Sequence, residues 1–300
     1  MIDSVDKHRI RRAFGRAAQG FETGDFLHKE IRDRLLSRLS IVKIAPHWVV
    51  DLGAGTGGAT KSLLRTFPAC RIVALDFSEE MLAKASPEPS DRAAPSDHSP
   101  TKRVTAVCAD AQSLPISDQS IDLIFSNLLL QHCPDPLSVL KEARRILRFP
   151  GLFTFATLGP QSLHELGEAW AGADSFSHIT PVLEMHDLGD ALIHAGFAEP
   201  VMYTEKLTVT YQSLARAMTD LRCVGSINAT IDRNRGLTGR QTWQRLTDGY
   251  EQYRNADGKL PATLEIIYGL AWSGQPDSGM RRSDGEFEIP VEDVRLFSCK

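Results

Sequence analysis

The chain has 300 residues, 42% of them hydrophobic and 24% charged, with a formal net charge of −4 at pH 7; this fits a globular protein of one large or two small domains and gives no overall basic field for nucleic acid or an anionic membrane. No apolar run reaches membrane-spanning length, and MIDSVDKHRIRRAFGRAA lacks the apolar stretch of a secretory signal. Five scattered cysteines (Cys70, Cys108, Cys133, Cys223, Cys299) form no C-x-x-C pair, so neither a zinc knuckle nor a disulfide framework is expected, and a cytoplasmic setting is.

Residues 8–40 carry apolar side chains at helical spacing, Ile10, Phe14, Ala17 and Ala18, then Leu27, Ile31, Leu35 and Leu36, with Gly20 and Gly24 marking a break. WVVDLG predicts a buried strand entering a glycine turn, and 58–67 a helix stopped by Pro68. CRIVALD (70–76) is a second strand, and SEEMLAKA a helix capped by Ser78. The stretch 86–103 holds four prolines and almost no apolar residue, which predicts a surface loop. RVTAVCAD and IDLIFSN are the third and fourth strands. PLSVLKEARRIL predicts a helix ended by Pro150-Gly151, and GLFTFATLG the fifth strand. SLHELGEAW and MHDLGDALIHAGF are helical, VMYTEKLTVTY is the sixth strand, and 211–228 and 238–254 are helical again. LEIIYGLAW (264–272) is the last strand, followed by a polar tail in which FEIPV is strand-like. Strands alternating with helices predict an α/β fold around a mostly parallel, doubly wound sheet.

The stretch VVDLGAGTGGATK, Val49 to Lys61, is where the chemistry concentrates. It reads as G-x-G-x-x-G on Gly53, Gly55 and Gly58, a dinucleotide fingerprint. It also reads as D-x-G-x-G-x-G on Asp51, Gly53, Gly55 and Gly57, the pattern of a methyl-donor site. Asp76 ends the next strand, where an acid can accept from both ribose hydroxyls, and both cofactors need that. Three features favour S-adenosylmethionine. Asp51 within the motif would repel a pyrophosphate but not an amino-acid ammonium. In ADAQSLP (109–115), Asp110 can accept from an adenine amino group while Ala111 offers a backbone N–H. About fifty residues precede the loop, enough for a helical lid.

Taken in order, the glycine loop, Asp76, Asp110-Ala111 and SIDLIFSNLLLQ resemble the motif set of class I S-adenosylmethionine-dependent methyltransferases across residues 45–160. That resemblance implies a Rossmann-like, seven-stranded sheet with its last strand antiparallel beside the fifth. It implies donor contacts from Asp51, Gly53, Ala54, Gly55, Gly57, Asp76, Phe77, Asp110, Ala111 and Asn127, and from Phe21 and His28 in the lid. The expected layout is a helical lid at 1–44, a methyltransferase domain at 45–273 with helical insertions near 161–182 and 211–258, and a polar tail at 274–300.

The outer segments IRRAFGRAAQGFETGDFLHKEI, SNLLLQHCPDP, FATLGPQSLHEL, MTDLRCVGSINAT and DGKLPATLEIIYGLAW resemble the malonyl-acyl-carrier-protein O-methyltransferases of biotin synthesis. The implied reaction methylates the free carboxylate of a malonyl thioester, starting the pimeloyl chain. A carboxylate with a pKa of about 4 is already a nucleophile at pH 7, so no catalytic triad is required. Arg222 is the expected partner of the substrate carboxylate, since arginine grips a carboxylate with two parallel hydrogen bonds. An acidic carrier protein would meet a basic surface, either Arg9, Arg11, Arg12 and Arg16 or Arg144, Arg145 and Arg148. The chain departs from the resemblance in three places: Phe21 stands where tyrosine is usual, His28 where glutamine is usual, and His132-Cys133 in a common LQW segment. His132 either touches substrate or fills tryptophan's space. These departures leave two alternatives open, a donor-binding assembly factor with little transferase activity and a methyltransferase for another carboxylate or a quinone. The histidines show no metal-ligand spacing, so no metal is expected, and the expected state is a monomer or weak dimer.

Overall fold

The glycine turn leaves the middle strand of a sheet whose two faces are both buried. The computed structural model describes residues 5–85 and 103–275. Within them β1 (Trp48–Leu52), β2 (Arg71–Asp76), β3 (Val104–Cys108), β4 (Ile121–Asn127), β5 (Leu147–Leu158), β6 (Phe197–Tyr211) and β7 (Leu260–Ser273) form one sheet in the order β3-β2-β1-β4-β5-β7-β6. The first five strands are parallel, and β7 pairs antiparallel with β5 on one side and β6 on the other. This is the seven-stranded, mostly parallel α/β fold expected from the sequence, with the expected antiparallel insertion.

Neighbouring residues of a strand face opposite ways, and the core divides accordingly. Val50 and Ile124 face one side, packed with Val139 and Leu140 of α6 (Pro136–Ile146) and Leu188 and Leu192 of α8 (Met185–His194). Val49, Leu123 and Phe125 face the other, packed with Leu63 of α4 (Gly58–Thr66) and with α3 (Phe26–Leu39). Ile31, Leu35 and Leu39 of α3 are only 0–2% exposed, so this helix is a layer of the core. Of the N-terminal residues expected to form a lid, α1 (Lys7–Ala17) and α2 (Phe21–Gly24) are the ones outside that layer. They pack through Ala17, Ala18 and Phe21 onto Met81 of α5 (Glu79–Ala85) and onto Val224. A separate cluster joins α7 (His164–Ala171), α9 (Leu214–Cys223) and α10 (Arg240–Glu251) through Leu166, Trp170, Leu214, Leu246 and Tyr250.

Several boundaries differ from the sequence expectation. The helix expected to run to Pro150-Gly151 ends at Ile146, and β5 begins at Leu147, paired with Ile121 before a register shift. β6 begins at Phe197, and a register shift between Ala198 and Val201 accommodates Pro200. β7 begins at Leu260, with Pro261 at the second position of the strand. The proline-rich stretch 86–102, the FEIPV segment and the rest of the tail beyond 275 lie outside the described residues. No helix among the described residues is long and apolar enough to cross a membrane.

Candidate active site

At the centre of the sheet the chain order reverses between β1 and β4, which opens a crevice beyond the carboxyl ends of the strands. The glycine turn lines that crevice. Gly53, Gly55 and Gly57 take φ of +82°, +53° and +80°, the left-handed region that favours glycine. A Cβ on Gly53 would lie 3.0 Å from Leu129 Cβ, and one on Gly57 would lie 3.0 Å from the backbone of Ala85. Gly58 has ordinary helical backbone and opens α4. The conformationally required glycines are therefore those of the D-x-G-x-G-x-G reading. The turn is tied to the end of β2, where Leu75 O accepts from Gly53 N at 2.8 Å and from Ala54 N at 2.9 Å.

A cleft of about 380 Å³ runs from this turn, lined by Gly53, Asp76, Phe77, Asp110, Ala111 and His132 among others. Asp76 is 9% exposed; its Oδ2 accepts from Gly55 N and its Oδ1 from Ser78 N, both at 2.9 Å. Burial holds this carboxyl above the usual carboxylate range, against the opposing pull of those amides. Asp110 accepts from Gln112 N at 3.0 Å and pairs with Lys7, whose ammonium also donates to Gln112 Oε1 at 2.7 Å. Lys7 opens α1, so this ion pair fastens α1 to the far end of the cleft. Phe14, one helical turn beyond Ile10, packs edge-on against His132 at 4.9 Å and against Phe77 at 6.3 Å.

At the ends of β1 and β4 and in α3, three buried polar atoms lack partners. Asp51 is 1% exposed; Thr60 Oγ1 donates to its Oδ2 at 2.5 Å, while Oδ1 has no partner. Burial pushes its pKa up to about 7, with the Thr60 hydroxyl opposing and the Asp76 charge adding. Asn127 Nδ2 donates to His28 O at 3.0 Å, leaving Asn127 Oδ1 and His28 Nδ1 as buried atoms without partners. Burial drives both His28 and His132 down to about 4, so both imidazoles are neutral at pH 7. Cys133 is pushed up to about 12 by burial, which keeps it a thiol. Beyond the turn Leu130–His132 lies a second, apolar cavity of about 270 Å³ between Leu130, Cys133, Thr157, Pro181 and Leu188.

The structure thus gathers Gly53, Asp76, Phe77, Asp110, Ala111 and His132 around one cleft, with Asp51, Ala54, Gly55, Gly57 and Asn127 behind it. Phe21 lies beside the cleft in the α1–α2 cluster, 5.1 Å edge-on from His28, with its side chain 8% exposed. Arg222 is not brought into the cleft. It stands exposed in the last turn of α9, without an ion pair among the described residues. Lys7 and Leu129, which line the cleft, and Phe14, which packs on His132, were not picked out as site residues from the sequence. Nothing in their local pattern marks them, since each reaches the site through tertiary packing. Among the described residues no group of three or more His, Cys, Asp or Glu side chains could hold a metal ion.

Residues 50–155 match the family model described as a methyltransferase domain. The chain is 41% identical over 286 residues to the malonyl-acyl-carrier-protein O-methyltransferase of Laribacter hongkongensis, covering 94% of each. It is 40% identical to that of Nitrosospira multiformis, covering 96% of each. The chain belongs to the malonyl-acyl-carrier-protein O-methyltransferase family. Among solved structures, the YcgJ protein of Bacillus subtilis shares the fold with a TM-score of 0.55 at 17% identity, over 81% of this chain and 98% of that one. As in the methyltransferase family at large, the cofactor is S-adenosylmethionine. The cleft fits it. Three left-handed glycines leave room for the backbone to approach a nucleoside, Asp76 lines the cleft, and Asp51 Oδ1, Asn127 Oδ1 and His28 Nδ1 are buried polar atoms without a partner.

Proposed function

We infer that this protein transfers the methyl group of S-adenosylmethionine to the free carboxylate of a malonyl group carried by acyl carrier protein, the step that begins a pimeloyl chain for biotin. The match to malonyl-acyl-carrier-protein O-methyltransferases, spanning nearly the whole of both chains, carries this reading. The methyl donor supplies an electrophilic carbon on a sulfonium that is also the leaving group. The protein's part is to hold, align and desolvate. Asp76 and the glycine turn would hold the nucleoside, and His132 of the Leu130–His132 turn lines the same cleft. The acceptor carboxylate is ionised at pH 7 and needs no base, which agrees with two neutral imidazoles and a protonated Cys133 around the reacting centre. Catalysis rests on alignment and water exclusion. Phe14, Phe77 and His132 form the dry wall that provides it.

Arg222 is proposed to receive the malonyl carboxylate. It carries an unpaired charge, and α9 touches α2, where a Cβ on Gly24 would lie 3.0 Å from Cys223 Cβ. The proposed setting is cytoplasmic, the proposed state a monomer or weak dimer, and neither nucleic acid nor membrane is a proposed partner. The test is transfer of labelled methyl from S-adenosylmethionine to malonyl-acyl carrier protein, with unacylated carrier as control. Label on the malonyl form alone is expected. Intact donor binding without transfer to any malonyl thioester would overturn the reading.

A further inference from the structure

The chain carries a net charge of −4, yet the loop that leads into α10 runs the other way. IDRNRGLTGR (231–240) sets Arg233, Arg235 and Arg240 against one acid, Asp232. Arg233 is used internally, donating to Thr230 O at 2.7 Å and pairing with Asp6 at 3.4 Å. Arg235 and Arg240 are exposed and make no ion pair among the described residues. Arg240 opens α10, whose first turn holds no acid and whose N-terminus has no side-chain cap. The helix dipole is positive at that end, so a cation there adds to positive potential already present and gains nothing for the fold.

Between these two arginines stands Leu237, 98% exposed, with Ile231 44% exposed at the start of the loop. Single apolar residues on a surface are ordinary, but this leucine is left almost wholly in water and between two free cations. The root of the loop is fastened to α1. Val5 bridges Thr230, Asp6 N donates to Ala229 O at 2.8 Å, and Arg9 Nε donates to Asn228 O at 2.9 Å. Residues three and seven apart share a helix face, so Arg12 and Arg16 follow Arg9 along the side of α1 that meets the loop. Lys7 and Phe14, also seven apart, lie on the side that meets the cleft. The basic surface thus flanks the cleft without lining it. What complements it is an acidic protein surface with an apolar spot among its charges.

We propose that Leu237 is the apolar anchor of a docking surface for the acidic acyl carrier protein, with Arg235 and Arg240 as its charged rim. The proposal rests on the reading that the acceptor arrives on a carrier, and it concerns the body of the carrier, apart from the group that is methylated. Fluorescence anisotropy with labelled, unacylated acyl carrier protein tests it, with Tm as the control for folding. Leu237→Ser is expected to keep Tm and to weaken carrier binding about 5- to 50-fold, the loss of one buried apolar side chain, with the salt dependence of wild type. Leu237→Met is expected to stay within about twofold of wild type. Arg235→Glu with Arg240→Glu is expected to weaken binding and to flatten its salt dependence. In the transfer assay Leu237→Ser should raise KM for malonyl-acyl carrier protein by the same factor and change KM for malonyl-pantetheine by less than about twofold. Carrier binding that is unchanged in Leu237→Ser, or absent in wild type, would overturn the proposal. So would an equal rise in KM for malonyl-pantetheine, which would place Leu237 at the acceptor itself. The anisotropy needs no methyl transfer, so its result is read apart from whether malonyl thioesters are methylated.

Discussion

Asp76 serves the fold and is proposed to serve the ligand as well. Its two oxygens accept from Gly55 N and Ser78 N, pinning the glycine turn to the start of α5, and lone pairs remain for ribose hydroxyls. Asp76→Ala should therefore abolish S-adenosylhomocysteine binding by calorimetry and lower stability by about 1–3 kcal/mol in urea unfolding, because two amides lose their acceptor. Asp51 gives a pH signature. Its folded-state pKa is raised by burial to about 7, while the unfolded chain titrates at about 4. Between those values the folded, donor-free protein binds more protons than the unfolded chain, so stability falls as pH rises through the window. Asp51→Asn should flatten that fall and raise the donor-free Tm more at pH 8 than at pH 5. Both aspartates were legible in the sequence because each adjoins a strand end whose position the apolar pattern determines. Lys7 and Phe14 were not, since a lysine and a phenylalanine on a helix are ordinary until packing brings them to the cleft.

At the scale of elements, α3 and α1 ought to behave differently despite their adjacency. Ile31, Leu35 and Leu39 tie α3 to β1, β4 and α4, and Arg38 stacks over Tyr203 and Tyr268 at 4.5 and 4.2 Å. Helix α1 is held by the smaller cluster around Phe21 and Met81 and by the Lys7–Asp110 pair. Hydrogen exchange should show α3 amides opening with the sheet and α1 amides at least about tenfold faster. S-adenosylhomocysteine should slow α1 preferentially. Leu35→Ala should cost about 2–5 kcal/mol by urea unfolding. The parallel strands β1 to β4 were readable as short apolar runs bounded by turns, and their alternation with helices predicted a parallel sheet. The starts of β5, β6 and β7 were not readable. Each carries a proline near its beginning, and proline in a sequence argues against a strand. Here the sheet absorbs Pro150 and Pro200 near register shifts and Pro261 at a strand start.

Across the whole molecule the positive charge is distributed unevenly. Arg144, Arg145 and Arg148 are spent internally, on Gly196 O and Gly274 O, on Glu142 and Asp118, and on Asp122. On α1, by contrast, Arg11, Arg12 and Arg16 are exposed and make no ion pair among the described residues, while Arg9 donates to Asn228 O at 2.9 Å. An acidic carrier protein would dock there. Arg12→Glu with Arg16→Glu should raise KM for malonyl-acyl carrier protein about tenfold or more and leave KM for a malonyl thioester without the carrier unchanged, with the difference shrinking at high salt. The position of β7 has a consequence for synthesis on the ribosome. The residues that line the cleft, from Lys7 to Pro134, emerge early, yet β5 and β6 are joined in one sheet only through β7 between them, as in the pairing of Leu152 with Trp272. For most of translation β5 presents a bare edge of Phe153, Phe155 and Ala156, the kind of surface that neighbouring nascent chains seize. A ribosome-stalled chain ending before Leu260 should recruit holdase chaperones, and one whose β7 has cleared the exit tunnel should release them.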